Sequence, residues 1–198
     1  MMIINPYRFA GGPTTLLYDT FTDTDTTALS AHTPDINTTG GSWALLNSSD
    51  IQIISNEAKV VGSPGDNVLY LMNVGVTDFT LTATFKLSNQ ASCYAMFTTR
   101  AANSAGSGWR VQCVHNAKCV LFEASTSRAT GTTTTFSDGT YYDFKMVLSG
   151  TSVKVYINDG LEIDHTIVTT QSYGNYAGLQ LSRTAYPAYC DNYKITVP

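Results

Sequence analysis

The chain has 198 residues, 43% of them hydrophobic, which is enough apolar material for one well-cored domain and unlike the composition of a disordered polymer. Charged residues make up only 13% while threonine occurs 29 times, a balance that suits pleated sheet surfaces and argues against exposed helices, which lean on Glu, Lys and Arg. A formal charge of −4, with 11 Lys and Arg scattered singly, argues against nucleic acid and anionic membrane as partners.

Residues 1–15 carry Pro6, Gly11, Gly12 and Pro13 and read as an extended arm ahead of a single domain spanning 16–198. The arm has no cationic start followed by an apolar run, so no secretory signal is expected. Synthesis in a cytoplasm follows, with Cys93, Cys113, Cys119 and Cys190 expected reduced and mostly buried. Ile3, Ile4, Tyr7 and Phe9 are apolar groups that water disfavours, which makes the arm a candidate docking element; a disordered leader is the alternative.

LLYDTFT (16–22) reads as the first strand, followed by a polar connection over 23–41. Trp43 and, later, Trp109 are expected core anchors. Strands follow at 51–55, 57–62 and 67–73; the apolar stretch around Val68 to Val76 is broken by Asn73 and Gly75 and is too short to cross a bilayer. In DFTLTATFKL, Phe79, Leu81, Ala83, Phe85 and Leu87 share one face and Thr80, Thr82, Thr84 and Lys86 the other, the period of a half-buried strand. Further strands are read at 92–100, 108–115 and 118–125, with a turn at Asn116-Ala117, and 126–135 reads as a low-complexity loop. YYDFKMVL, SVKVYIN and LEIDHTIV then form a meander through the turns Ser149-Gly150-Thr151 and Asn158-Asp159-Gly160. YAGLQL (176–181) and NYKITV (192–197) complete an all-β reading as a two-sheet antiparallel jelly-roll sandwich.

Catalytic and metal motifs are missing from the sequence: it has no GxSxG, HExxH, Gly-rich phosphate loop or CxxC pair, so no enzyme is expected. Tyr173, Tyr176, Tyr186 and Tyr189 crowd the C-terminal third. Each offers a flat ring and a hydrogen-bonding tip, suited to stacking on sugars, to anchoring a protein interface, or simply to packing at sheet ends.

The run VKVYINDGLEI, then YAGLQLS, then the terminal CDNYKITV resembles the concanavalin A-like lectin/glucanase superfamily, which includes laminin-G-like domains, from about Asp19 to Val197. Glucanases of that superfamily carry E-[I/L]-D-x-x-E; here Glu162-Ile163-Asp164 starts the pattern but position 167 is Ile, which removes the acid/base. Glu162 and Asp164 are accordingly expected on a solvated face. The resemblance also implies a structural calcium held by Asp191 with backbone oxygens near Asp19 or Phe21 and near Gly40-Gly41, the alternative being that Asp191 caps loop amides without metal. The INPYRF-type arm before a Thr-, Ser- and Gly-rich sandwich resembles tailed-bacteriophage particle proteins. That resemblance implies a non-enzymatic virion structural protein (capsid decoration, head-fibre, neck or tail-associated subunit) docked through its arm on other virion proteins, located in the virion and compatible with homo-oligomers. A carbohydrate-binding module for host surface glycans is the alternative function, and a degenerate glycoside-processing enzyme the third.

Overall fold

The computed structural model describes residues 12–46, 50–61, 67–89, 91–104, 107–168, 174–182 and 187–198. In chain order its strands are β1 (Thr14–Asp19), β2 (Ile36–Asn37), β3 (Ala44–Leu45), β4 (Asp50–Ile54), β5 (Glu57–Val61), β6 (Asn67–Asn73), β7 (Phe79–Lys86) and β8 (Tyr94–Ala101). They continue as β9 (Trp109–Val114), β10 (Val120–Glu123), β11 (Thr126–Thr130), β12 (Tyr141–Ser149), β13 (Ser152–Ile157), β14 (Gly160–Thr166), β15 (Tyr176–Ser182) and β16 (Tyr189–Val197). The expected alternation holds: in β7 the residues Phe79, Leu81, Ala83 and Phe85 are buried while the threonines and Lys86 between them are partly exposed. The β13–β14 turn places Asn158 and Asp159 at φ +50° and +63°, a region that Asn and Asp tolerate better than branched residues.

Two antiparallel sheets result. Sheet A runs β14-β13-β12-β7-β16-β1-β2, with β5 joining β16 and β4 joining β5; sheet B runs β11-β10-β9-β8-β15-β6-β3. The chain changes sheet between β2 and β3, β3 and β4, β5 and β6, β6 and β7, β7 and β8, β11 and β12, β14 and β15, and β15 and β16. Such crossings make a jelly-roll sandwich, because each change lays one greasy face against the other sheet. Between the layers Phe97 stacks on Phe144 at 4.1 Å, and Phe85 meets Phe136, Tyr142 and Phe97 at 5.4–5.8 Å. Trp43 and Trp109 are both buried, and all four cysteines are free and buried.

Three expectations need correction. First, β1 begins at Thr14 and ends at Asp19, so the sheet takes in two residues of the expected arm, and Phe21 turns into the core at φ +48°. Second, the segment 126–135 is no plain loop. Thr126–Thr130 pairs with β10 as the edge of sheet B.

The third concerns Glu162, which is 3% exposed rather than solvated. β13 and β14 pair Val155 with Ile163 and Tyr156 with Leu161, so Glu162 is the extra residue of a bulge. The bulge breaks the alternation, burying Glu162 and Ile163 together and leaving Leu161 48% exposed. Its carboxylate accepts hydrogen bonds from the amides of Thr132, Thr133 and Thr134 at 2.8–2.9 Å and from the hydroxyls of Thr133 and Thr134 at 2.5 and 2.6 Å. Glu162 therefore fastens the connection after β11 to the edge of sheet A. Burial raises its pKa, but the bonds from Thr133 and Thr134 outweigh that and hold it at about 2.

Candidate functional site

Sheet B carries two rows of interleaved polar and apolar residues on its outer face. Register across β10, β9, β8, β15 and β6 aligns Phe122, Arg110, Thr98, Gly178 and Leu71 in one row and Val120, Gln112, Met96, Gln180 and Leu69 in the next. The middle is sunk. Thr98 is 1% exposed and Met96 is buried, while Phe122, Arg110, Gln112, Gln180 and Tyr94 around them are half-buried. Tyr176 borders the same face, packed against Leu69, Leu71 and Ala101.

Neighbouring strands here hold two buried polar atoms, Thr98 Oγ1 and Arg110 Nε, with no hydrogen-bond partner among the described residues. Arg110 spends a terminal nitrogen on the Ala124 carbonyl, and burial draws its pKa below the usual arginine value, with nearby Tyr94 opposing the shift. Tyr94 accepts a hydrogen bond from Gln180 Nε2 at 2.9 Å; burial pushes its hydroxyl up to about 12, so it stays a donor. An unpaired buried donor or acceptor costs about 1–3 kcal/mol, and two side by side are unusual unless something else completes them. A ligand laid on this face meets the half-buried Arg110 guanidinium and the Gln112 and Gln180 amides, with Thr98 and Met96 beneath them. Phe122 and Tyr176 offer apolar ring surface at the margins. The arrangement suits a polyol with an apolar face, and it holds no placed pair of carboxylates.

Asp19 and Asp191 take different roles from those the resemblance implied. Asp19 closes β1 fully buried, its Oδ1 accepting from the Phe21 amide at 2.8 Å and from His32 Nε2 at 2.9 Å, its Oδ2 from Trp43 Nε1 at 2.8 Å. His32 also bonds Asp23 through Nδ1 at 3.0 Å, so both ring nitrogens face carboxylates. Burial works against a charged His32, yet Asp23 and Asp19 together raise its pKa above the ordinary value. Asp191 accepts from the Asn192 amide at 2.6 Å and side chain at 2.8 Å, and the Gly41 carbonyl accepts from Asn37 Nδ2. The Asp19 carboxylate itself does not fit a calcium ligand: it faces N–H groups, of which the indole N–H of Trp43 can only donate, where a cation would need bare oxygens.

Of the four tyrosines singled out in the sequence, Tyr176 lies on sheet B and Tyr189 on the outer face of sheet A. There the ammonium of Lys86 sits 4.3 Å from the ring centroids of both Tyr141 and Tyr189. Tyr173, Tyr186 and the arm residues Ile3, Ile4, Tyr7 and Phe9 lie outside the described residues. Sequence reasoning passed over Thr98, Arg110, Gln112 and Gln180. The alternation in WRVQCV does put Arg110 and Gln112 on one face, but nothing local says that Thr98 is their neighbour.

No family model matches the sequence, and no curated protein is similar to it. Solved structures do match. The carbohydrate-binding module CBM66 from Bacillus subtilis aligns over 89% of this chain and 99% of its own, with TM-score 0.56 and 18% identity. The Emp46p carbohydrate recognition domain, in metal-free form, aligns over 77% and 87%, with TM-score 0.60 and 9% identity. A structure from work on endo-acting O-glycanases of the human gut microbiota aligns over 93% and 99%, with TM-score 0.63 and 10% identity. At these identities the likeness establishes the fold: a jelly-roll β-sandwich of the kind found in galectin-like proteins and carbohydrate-binding modules.

Proposed function

We propose that the protein is a non-catalytic carbohydrate-binding module whose glycan-contacting surface is the outer face of sheet B around Phe122, Arg110, Gln112 and Gln180. The carrying observation is this set of half-buried ring, guanidinium and amide groups standing around the sunken Thr98 and Met96. The glycan-related structural neighbours support the same reading. Non-catalytic is the reading because the one glucanase-like carboxylate, Glu162, has both oxygens engaged and a pKa of about 2, far from what an acid/base group needs at neutral pH. A bacteriophage address for such a module rests on the resemblance of the arm and the Thr-, Ser- and Gly-rich sandwich behind it, and the neighbours named above carry no phage link.

Gln112→Ala separates binding from stability. Gln112 is half-buried on the outer face of β9, so the variant removes a surface amide and leaves the inward-facing Val111 and Cys113 untouched. The variant should melt close to wild type while its glycan affinity falls about tenfold, the worth of one well-placed hydrogen bond. Arg110→Ala should weaken binding further. Silence of the wild-type protein across a broad glycan array, or unaltered affinity in both variants, would refute the proposal.

A further inference from the structure

Sheet A presents a different surface. Five of the six lysines, Lys59, Lys86, Lys145, Lys154 and Lys194, project from its outer face. Glu57, Asp143, Asp159, Asp164 and Asp191 share that face or its rim, so formal charges cancel across it. Ring contacts hold several of the ammonium groups, with Lys145 at 4.5 Å from the Tyr156 centroid and Lys194 at 5.7 Å from that of Tyr18.

A groove of about 270 Å³ opens at the centre of this face, its lining including Thr82, Thr84, Asp143, Lys145, Asp159 and Asn192. A second bulge builds it. β16 pairs Asp191 with Thr84 and Lys194 with Thr82, which leaves Asn192 and Tyr193 opposite the single residue Ala83. Asn192 takes φ +51° and stands exposed while Tyr193 is buried in the core. Tyr18 donates to Asn192 Oδ1 at 3.2 Å and Thr84 donates to Asp143 Oδ1 at 3.2 Å. Both bonds are long for O–H donors, and Lys145 reaches Asp159 only at 3.5 Å, so these groups retain capacity for stronger partners. The groove falls just below the roughly 300–1,000 Å³ of drug-sized pockets, room for one ring rather than a chain of them.

We propose that this groove is a second carbohydrate subsite, taking a single uncharged hexose residue, so that the module offers sugar-binding surfaces on both sheets. Interleaved donors and acceptors match the hydroxyls of such a ring, and the cancelled charge gives no advantage to uronic or sialic acids. The proposal rests on the glycan reading above and is testable apart from it. Amide spectra of the intact protein are recorded during titration with glucose, galactose or mannose, and with glucuronate and N-acetylneuraminate as charged controls. The expected result is that at least one neutral hexose shifts the amides of Thr82, Thr84, Asp143 and Asn192. Those shifts should persist in Arg110→Ala and vanish in Asp143→Ala. Response of sheet B amides with the groove silent would overturn this inference and leave the first reading standing. Response of the groove with sheet B silent would do the reverse. Groove shifts produced only by the charged sugars would also overturn it.

Discussion

Replacing Glu162 by Gln tests the central claim about how the sandwich edge is closed. The carboxylate accepts five hydrogen bonds from Thr132, Thr133 and Thr134 while 3% exposed. An amide of the same shape presents one acceptor oxygen and turns an NH₂ group toward donors that have nothing to offer it. A folded pKa of about 2 against an ordinary 4.5 corresponds to about 3 kcal/mol of preference for the ionised form in the folded state. Glu162→Gln should therefore cost about 3 kcal/mol at neutral pH, a fall in Tm of roughly 6–12 °C for a domain of this size. Because the folded pKa lies below the unfolded one, this contribution is complete above about pH 4.5 and is lost as pH falls toward about 2. The gap between wild type and variant, followed by circular-dichroism melts from neutral pH downward, should narrow across that window. Hydrogen exchange at the Thr132, Thr133 and Thr134 amides should accelerate in the variant. An unchanged Tm, or a gap that stays constant as acid is added, would refute the reasoning.

The His32 pair with Asp19 and Asp23 predicts the opposite pH dependence. Its raised pKa makes its contribution complete below about 6.5 and lost as pH rises through the folded value, so His32→Phe should flatten the alkaline decline in urea midpoint. Identical profiles for the two proteins would count against the charged histidine. At Gly178 a Cβ would stand 2.1 Å from the Tyr70 carbonyl oxygen and 2.5 Å from a Leu71 methyl. Gly178→Ala should thus force β6 and β15 apart at a cost of about 3 kcal/mol, read as a lowered urea midpoint, and wild-type stability would show that the strands have slack.

Strand-level order was legible because side-chain alternation is local: Phe79 to Phe85, Tyr142 to Leu148 and Val153 to Ile157 each declare their buried face within a few residues. Errors fall where alternation breaks or where distant segments meet. Glu162 reads as solvated by counting from Leu161, and only the pairing with β13 reveals the extra residue that turns it inward. Asp19 sits at a strand end like a cation ligand, yet His32 and Trp43 reach it from the connection that follows. Tyr176 and Tyr189 are near neighbours in the chain but occupy opposite outer faces, because β15 and β16 belong to different sheets.

What the amino-acid order determined by itself, then, was an all-β chain with buried and wetted faces assigned in its regular strands, though not in the bulged β14 or the edge strand β11. The joining of Thr98 to Arg110, of Glu162 to the threonines of 132–134, and of Asn192 to Tyr18 belongs to the tertiary structure alone. Sheet order and bulges depend on which distant strands meet, and pairing energies between distant strands are written in no single segment.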